Sequence, residues 1–325
     1  MTSNHPADAR PTGPRVGSAS SHGKTILIGE HAVVYGEPAL VLPVNDVRVA
    51  ATVTPVADSA GSGLQSAVHT GPFDLAPAAV MPTVTAVTAT LRHLHAEHQH
   101  VHVRVDSDVP TARGMGSSAA VAAAVTAAVA DAFGVVLDPE THHELVQECE
   151  RVAHGRPSGL DARGVVADVP VWFEGGRIEP VQLSGAFAFV VADTGVPGHT
   201  RQAVAAVRAR RDGNPTRIDA VIGQIGDLAR RARGTLVDGD AQGLGATMDA
   251  AHALLTTLDV SSDDLDHLVH AARAAGALGA KLTGGGRGGC VLALATDGEH
   301  ADRIAAALRG AGAAATWTTR IGDRA

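Results

Sequence analysis

Four stretches of this sequence set chemically capable residues at spacings that suit the handling of phosphate groups and an alcohol. In Pro110-Thr-Ala-Arg113-Gly114-Met115-Gly116-Ser117-Ser118-Ala119-Ala120, two glycines free the backbone to wrap closely and two serines open a helix. Helix N-termini bind anions through free N–H groups and the macrodipole, and a serine hydroxyl there can also reach a hard cation. In Glu150-Arg-Val-Ala-His154-Gly-Arg-Pro-Ser-Gly-Leu-Asp161, a carboxylate late on one helix and a second beyond a Pro-Ser-Gly turn can converge on one site. Gly23-Lys24-Thr-Ile-Leu-Ile-Gly29-Glu30-His31-Ala-Val-Val-Tyr35-Gly36 interrupts an apolar strand with Gly-Glu-His. Lys281-Leu-Thr-Gly284-Gly285-Gly286-Arg287-Gly-Gly289-Cys290 concentrates glycine at a cost in backbone entropy, which makes sense where the backbone must approach a ligand or another chain segment.

Together these parts suit phosphoryl transfer. Backbone N–H groups cradle phosphates, oxygen ligands hold a hard cation, a side-chain cation offsets developing charge, and a carboxylate orients the acceptor hydroxyl. Two familiar arrangements of such parts are absent: there is no G-x-x-x-x-G-K-[ST] loop, and no H-R-D followed by D-F-G. Taken singly, each stretch also has an ordinary structural reading as a capped turn, a solvated carboxylate or a surface strand.

Elements must position these residues. Ile26–Ile28, Pro38–Leu42, Val47–Val53, Val101–Val105, Phe187–Ala192, Cys290–Ala295 and Ala314–Arg320 read as strands. Pro82–Glu97, Ala119–Val136, Arg201–Arg211, Arg217–Arg233, Ala241–Leu255, Ser262–Ala275 and His300–Arg309 read as helices. Asp138-Pro139-Glu140 is a strong helix start, with Asp as cap and Pro at the first helical position, and Gly155 ends that helix. Helices and strands segregate in the manner of an α+β protein.

The chain has 325 residues, and at roughly 100–200 residues per domain two domains are expected. The sequence predicts a disordered tail over 1–22, an N-terminal domain over 23–184 and a C-terminal domain over 185–325. Aromatic residues make up only 2%, so the core is built from Ala, Val and Leu. A formal net charge of −8 argues against a nucleic-acid surface, which needs clustered excess Lys and Arg. The polar, Pro-rich start has no apolar stretch of the kind a signal peptide carries. The Ala-rich segment Ala119–Val136 contains Thr126, Asp131 and Gly134, which fits a buried helix rather than a membrane span. Cys149 and Cys290 do not make a disulfide framework, and a cytoplasmic setting follows. The histidines at 93, 95, 98, 100 and 102 straddle a helix end and a strand, so a solvated surface is favoured over a metal site.

The four stretches, in this order, resemble the GHMP kinases, whose members phosphorylate galactose, homoserine, mevalonate or phosphomevalonate. The resemblance covers about residues 23 to 320, and the Gly-Glu-His-Ala-Val-Val-Tyr-Gly, His154-to-Asp161 and Lys281-Leu-Thr-Gly-Gly-Gly stretches are most similar to the members that act on mevalonate. It implies a two-domain fold, a ribosomal-protein-like N-terminal module followed by a ferredoxin-like C-terminal one, and ATP and Mg²⁺ as co-substrate and cofactor. By position it implies Asp161 as the catalytic carboxylate with Lys24 as its partner, and Ser118 and Glu150 as Mg²⁺ ligands. Pro110, Arg113, Gly114, Met115, Gly116, Ser117, Ser118 and Ala119 match the ATP-binding loop. Lys24, Glu30, His31, Asp161 and Thr200 match the acceptor side, with Gly284, Gly285 and Gly286 forming a glycine loop nearby. The resemblance implies mevalonate and ATP as the pair of substrates; the alternatives are another GHMP small-molecule kinase, such as one acting on phosphomevalonate, whose phosphorylated acceptor would need further Lys or Arg beside Lys24, and a non-catalytic sensor of the same fold. Nucleic acid and membrane are not expected partners, and a homodimer stays open.

Overall fold

The computed structural model describes residues 14–155 and 159–322. In chain order the strands are β1 (Gly17–Ile28), β2 (Ala39–Val56), β3 (Gly63–Gln65), β4 (Thr70–Pro72), β5 (His100–Ser107), β6 (Val171–Glu174), β7 (Arg177–Pro180), β8 (Phe187–Asp193), β9 (Gly279–Thr283), β10 (Cys290–Ala295) and β11 (Ala315–Ile321). The helices are α1 (Met81–His93), α2 (Ser117–Ala132), α3 (Pro139–His154), α4 (Leu160–Gly164), α5 (Thr200–Gly213), α6 (Pro215–Asp238), α7 (Ala241–Thr257), α8 (Asp263–Ala274) and α9 (Gly298–Gly310). No helix among the described residues is long and apolar enough to cross a membrane.

The chain gathers into two compact units, one holding 14–21, 49–107 and 121–155, the other 22–48, 108–120 and 159–322. In the first, β5 lies antiparallel to the second half of β2, from Val49↔Ser107 to Val56↔His100, and parallel to β3, which pairs with β4. Val101, Val103 and Val105 alternate inward along β5, and α1 packs against α3. Asp138 caps α3 as expected, accepting from the Glu140 and Thr141 amides at 3.0 Å, and Gly155 closes it at φ 79°.

In the second unit, Ala39–Val41 of β2 pairs with β6, and β6 with β7. Ile26, Ala39, Val41, Leu160, Val171 and Phe173 form a core cluster beside these strands. A four-stranded antiparallel sheet follows, in the order β11-β8-β10-β9. Every residue of β8 and β10 is buried, and apart from Asp193 at the end of β8 the strands read as apolar runs rather than alternations. Each fully buried Val or Leu contributes about 1.5–3 kcal/mol.

Several boundaries differ from the sequence reading for identifiable reasons. Residues 1–13 of the expected tail lie outside the described residues, but 17–22 belong to β1. At the start of that run only glycine fits: a Cβ on Gly17 would sit 2.3 Å from the Ala132 nitrogen and 2.4 Å from the Ala128 carbonyl. The two strands expected over Pro38–Leu42 and Val47–Val53 are one, β2. Pro43 falls between the stretch paired to β6 and the stretch paired to β5. The short strands β3, β4, β6, β7 and β9 carry too few residues for a periodic signal.

Candidate functional site

Lys24 sits on β1 with 3% of its surface exposed. Its amide donates to the Met115 carbonyl at 3.0 Å, and its Nζ lies 2.6 Å from Asp161 Oδ1. Two glycines clasp the aliphatic stem: a Cβ on Gly116 would come within 3.0 Å of Lys24 Cγ and Cε, and one on Gly164 within 3.2 Å of Lys24 Cγ. Asp161 stands in the first turn of α4, entered through Gly159 at φ 90°. The lysine side chain is 4% exposed and the aspartate 40%, so an incoming ligand meets the carboxylate with the ammonium behind it. Arg156, Pro157 and Ser158, the middle of the motif that leads to Asp161, lie outside the described residues.

The loop from Pro110 to Ser117 is wound through left-handed backbone at Ala112, Gly114 and Gly116, with φ of 58°, 80° and 71°. Met115 anchors it, wholly buried, and α2 starts at Ser117, whose hydroxyl donates to the Val109 carbonyl at 3.4 Å. The Ser118 Oγ is buried with no hydrogen-bond partner among the described residues. A buried oxygen left without a partner is costly, and an unfilled hydroxyl at a helix N-terminus suits a hard cation held beside phosphate. Arg113 turns away from the loop: Nε donates to Asp193 Oδ2 at 2.9 Å and an Nη to the Gly195 carbonyl at 3.0 Å. The Gly195 amide in turn donates to Asp193 Oδ1 at 2.8 Å, so Arg113 is fixed by the turn after β8.

The Gly-rich stretch after β9 approaches protein at each glycine named above. A Cβ on Gly284 would meet Gly114 Cα at 3.2 Å, one on Gly285 would meet Thr200 Oγ1 at 2.5 Å, and one on Gly286 would meet the Val260 carbonyl at 2.0 Å. These close approaches bring the phosphate-type loop, the start of α5 and the glycine run together. Arg287 pairs with Asp259, an Nη lying 3.2 Å from Oδ2.

Glu30 and His31 follow β1. Glu30, 1% exposed, forms an ion pair with Lys281, which is completely buried. Burial raises the Glu30 carboxyl and lowers the Lys281 ammonium, and each charge opposes the other's shift. His31 holds φ 62°. Its Nε2 lies 3.0 Å from the Gly285 carbonyl, which can only accept, so the proton is on Nε2. Burial above all, opposed by that carbonyl and aided by Arg287 and Lys281, brings the imidazole down to about 4. The ring is neutral at physiological pH, and its buried Nδ1 is an acceptor without a partner among the described residues.

Glu150, 2% exposed on α3 with His154 Nε2 at 3.7 Å, is the one candidate in the first unit; the others belong to the second. Lys281 was missed as a site residue; the available signal was a charged residue in a strand otherwise buried. Tyr35 packs beneath Arg211, whose guanidinium carbon is 5.0 Å from the ring centroid. Cys290 is buried in β10, and burial pushes its thiol up. No three His, Cys, Asp or Glu among the described residues gather as a metal site.

Residues 83–167 match the GHMP kinases N terminal domain and residues 232–314 the GHMP kinases C terminal domain. The chain belongs to the GHMP kinase family, and is an ATP-dependent small-molecule kinase of the two-domain α+β fold. Its relatives within that family include mevalonate kinases. That of Aeropyrum pernix is 35% identical over 298 residues, covering 88% of this chain and 90% of the relative. The crystal structure of L. major mevalonate kinase in complex with R-mevalonate superposes with a TM-score of 0.85 at 25% identity, over 97% of this chain and 99% of that one. The mevalonate kinase of methicillin-resistant Staphylococcus aureus superposes at 0.72 with 33% identity, over 95% and 100%.

Proposed function

We propose that this chain transfers the γ-phosphoryl group of ATP to the C5 hydroxyl of (R)-mevalonate, giving mevalonate 5-phosphate for isoprenoid synthesis. The observation that carries the reading is the Lys24–Asp161 pair at 2.6 Å, with its lysine buried and its carboxylate open. Phosphoryl transfer passes through a loose transition state, so positioning and charge matter more than strong base catalysis. Asp161 orients the C5 hydroxyl and accepts its proton late. Lys24, held to the phosphate-type loop through the Met115 carbonyl, offsets charge on the acceptor oxygen. The amides from Gly114 to Ala119 cradle the ATP phosphates. His31 Nδ1 supplies a neutral acceptor for a substrate hydroxyl, and Thr200 at the start of α5 lies against the same glycine run. The ADP, the phosphorylated alcohol and the proton passed to Asp161 balance the step.

A bound Mg²⁺ would neutralise phosphate charge. Ser118, with its unpartnered buried hydroxyl, fits such an ion, and Glu150 is the further ligand that the family resemblance implies. Ser118→Ala should raise the Mg²⁺ concentration needed for half-maximal rate by about tenfold, since a hard-cation site loses an oxygen ligand. A Mg²⁺ titration at fixed ATP measures this, and an unchanged midpoint would take Ser118 out of the metal's shell.

A phosphorylated acceptor would require free cations at the acceptor side. Lys281 is taken by Glu30 and Arg287 by Asp259, which favours the unphosphorylated substrate. A cytoplasmic setting accords with the two buried free cysteines. ADP release measured with mevalonate, phosphomevalonate, homoserine and galactose tests the whole reading. Turnover is expected with mevalonate; background rates with mevalonate alongside turnover of another acceptor would refute the substrate assignment.

A further inference from the structure

Lys281 has no exposed surface, yet it sits on β9 between Ala280 and Leu282, both equally buried. Its ammonium donates to the Glu30 carboxylate and to the Leu282 carbonyl, the latter at 2.7 Å. Desolvating two charges commonly offsets what their attraction returns, and an apolar pair of similar volume often serves stability as well. What this pair does provide is a fixed distance between β9 and the end of β1.

That distance matters at the next residue. His31 holds its left-handed φ of 62° with no side-chain cap in the turn that follows, so the conformation is imposed from outside. The turn is gripped on both sides by one segment, Glu30 by Lys281 and His31 by the Gly285 carbonyl. Between these grips Thr283, which shares the Lys281 face of β9, clasps β1. Its Oγ1 lies 2.8 Å from Thr25 Oγ1, donates to the Ile26 carbonyl at 2.9 Å and accepts from the Ile26 amide at 3.2 Å. Residues 25–31 are thus laced to 281–285 at three levels, and Lys281 supplies the only charged one.

We propose that Lys281 is a positioning residue for the acceptor alcohol: through Glu30 it fixes the Gly29–His31 turn, and so keeps the His31 Nδ1 presented to the substrate. Lys281 does not itself touch substrate. This rests on the reading of His31 as an acceptor-side residue.

The test compares Lys281→Met, Glu30→Gln and the double variant by steady-state kinetics with each substrate varied, together with thermal melts. Lys281→Met should lower kcat/KM for mevalonate by about 10- to 100-fold, as a loosened positioning group does, while KM for ATP stays within about twofold. It should also melt early, because a lone carboxylate is left buried. The double variant removes that carboxylate's charge and should recover much of the melting temperature without recovering kcat/KM for mevalonate. A purely structural role would restore both together. The proposal is overturned if a folded Lys281→Met or the double variant uses mevalonate as wild type does, or if the KM values for both substrates rise in parallel. It is equally overturned if neither Lys281→Met nor the double variant folds, since the lysine would then serve the fold alone. Wild type measured alongside separates this from the substrate assignment: should wild type ignore mevalonate, the acceptor that does release ADP takes its place in the same comparison.

Discussion

Asp161→Asn is expected to lower kcat by about 10²–10⁴, the range for positioned acid–base groups, while the protein still folds. The substitution keeps the shape of the side chain and removes its charge. Asp161 is two-fifths exposed, so the loss does not propagate into a core. Lys24→Met should also lower kcat, because the ammonium 2.6 Å from Asp161 is the cation nearest to where charge develops. The two residues face one another across a single ion pair. The double variant should therefore be far less impaired than the product of the single losses, as groups acting as a unit are. The measurement is kcat for both singles and the double, with thermal melts as the control. Fully multiplicative losses in folded protein would mean that the two act independently, and near-wild-type turnover in Asp161→Asn would remove it from catalysis.

What the sequence made legible was mostly local. The Asp138 cap, the Gly155 stop and the Ser262 cap are each decided within a few residues, and the helices α3 and α8 start and end close to where these signals put them. β8 and β10 were found because they are apolar runs. The sequence resemblance put Lys24 opposite Asp161, and the two side chains are in contact. Less was legible where the partner lies far along the chain. Nothing near Glu30 announces that its carboxylate is met by a residue 251 positions later, and nothing near Arg113 announces Asp193, 80 positions on. The resemblance matches Arg113 to the ATP-binding loop by position, while its contacts with Asp193 and Gly195 hold that loop to the turn after β8. The glycine run from Gly284 was correctly read as a place of close approach, but what approaches is protein: Gly114, Thr200 and Val260. Lys281 heads the same stretch, but nothing beside it announces that its strand is buried along its whole length.

Gly116→Ala is expected to lower kcat by about 10–100-fold, a misplacement effect transmitted through Lys24. Two costs combine at this position. The backbone has φ 71°, where an L-residue with a Cβ loses about 1–2 kcal/mol. The new methyl would also lie 3.0 Å from both Cγ and Cε of Lys24 and 3.1 Å from Val165 Cγ1. The backbone of Lys24 is held in place, its amide tied to the Met115 carbonyl at 3.0 Å, so the side chain has to yield. The freedom left is in the chain beyond Cγ, which carries Nζ away from Asp161. The glycine that lets the loop turn tightly therefore also sets the reach of the lysine. Gly175→Ala separates the two costs: Gly175 has φ 58°, and a Cβ there meets nothing within 4 Å. It should melt at a lower temperature than wild type yet keep its kcat, whereas Gly116→Ala should lose both. Equal kcat losses in the two variants would mean that strain alone, and not contact with Lys24, lowers turnover. An unaltered kcat in folded Gly116→Ala would mean that the lysine's position tolerates the methyl and that the Lys24–Asp161 distance does not limit the reaction.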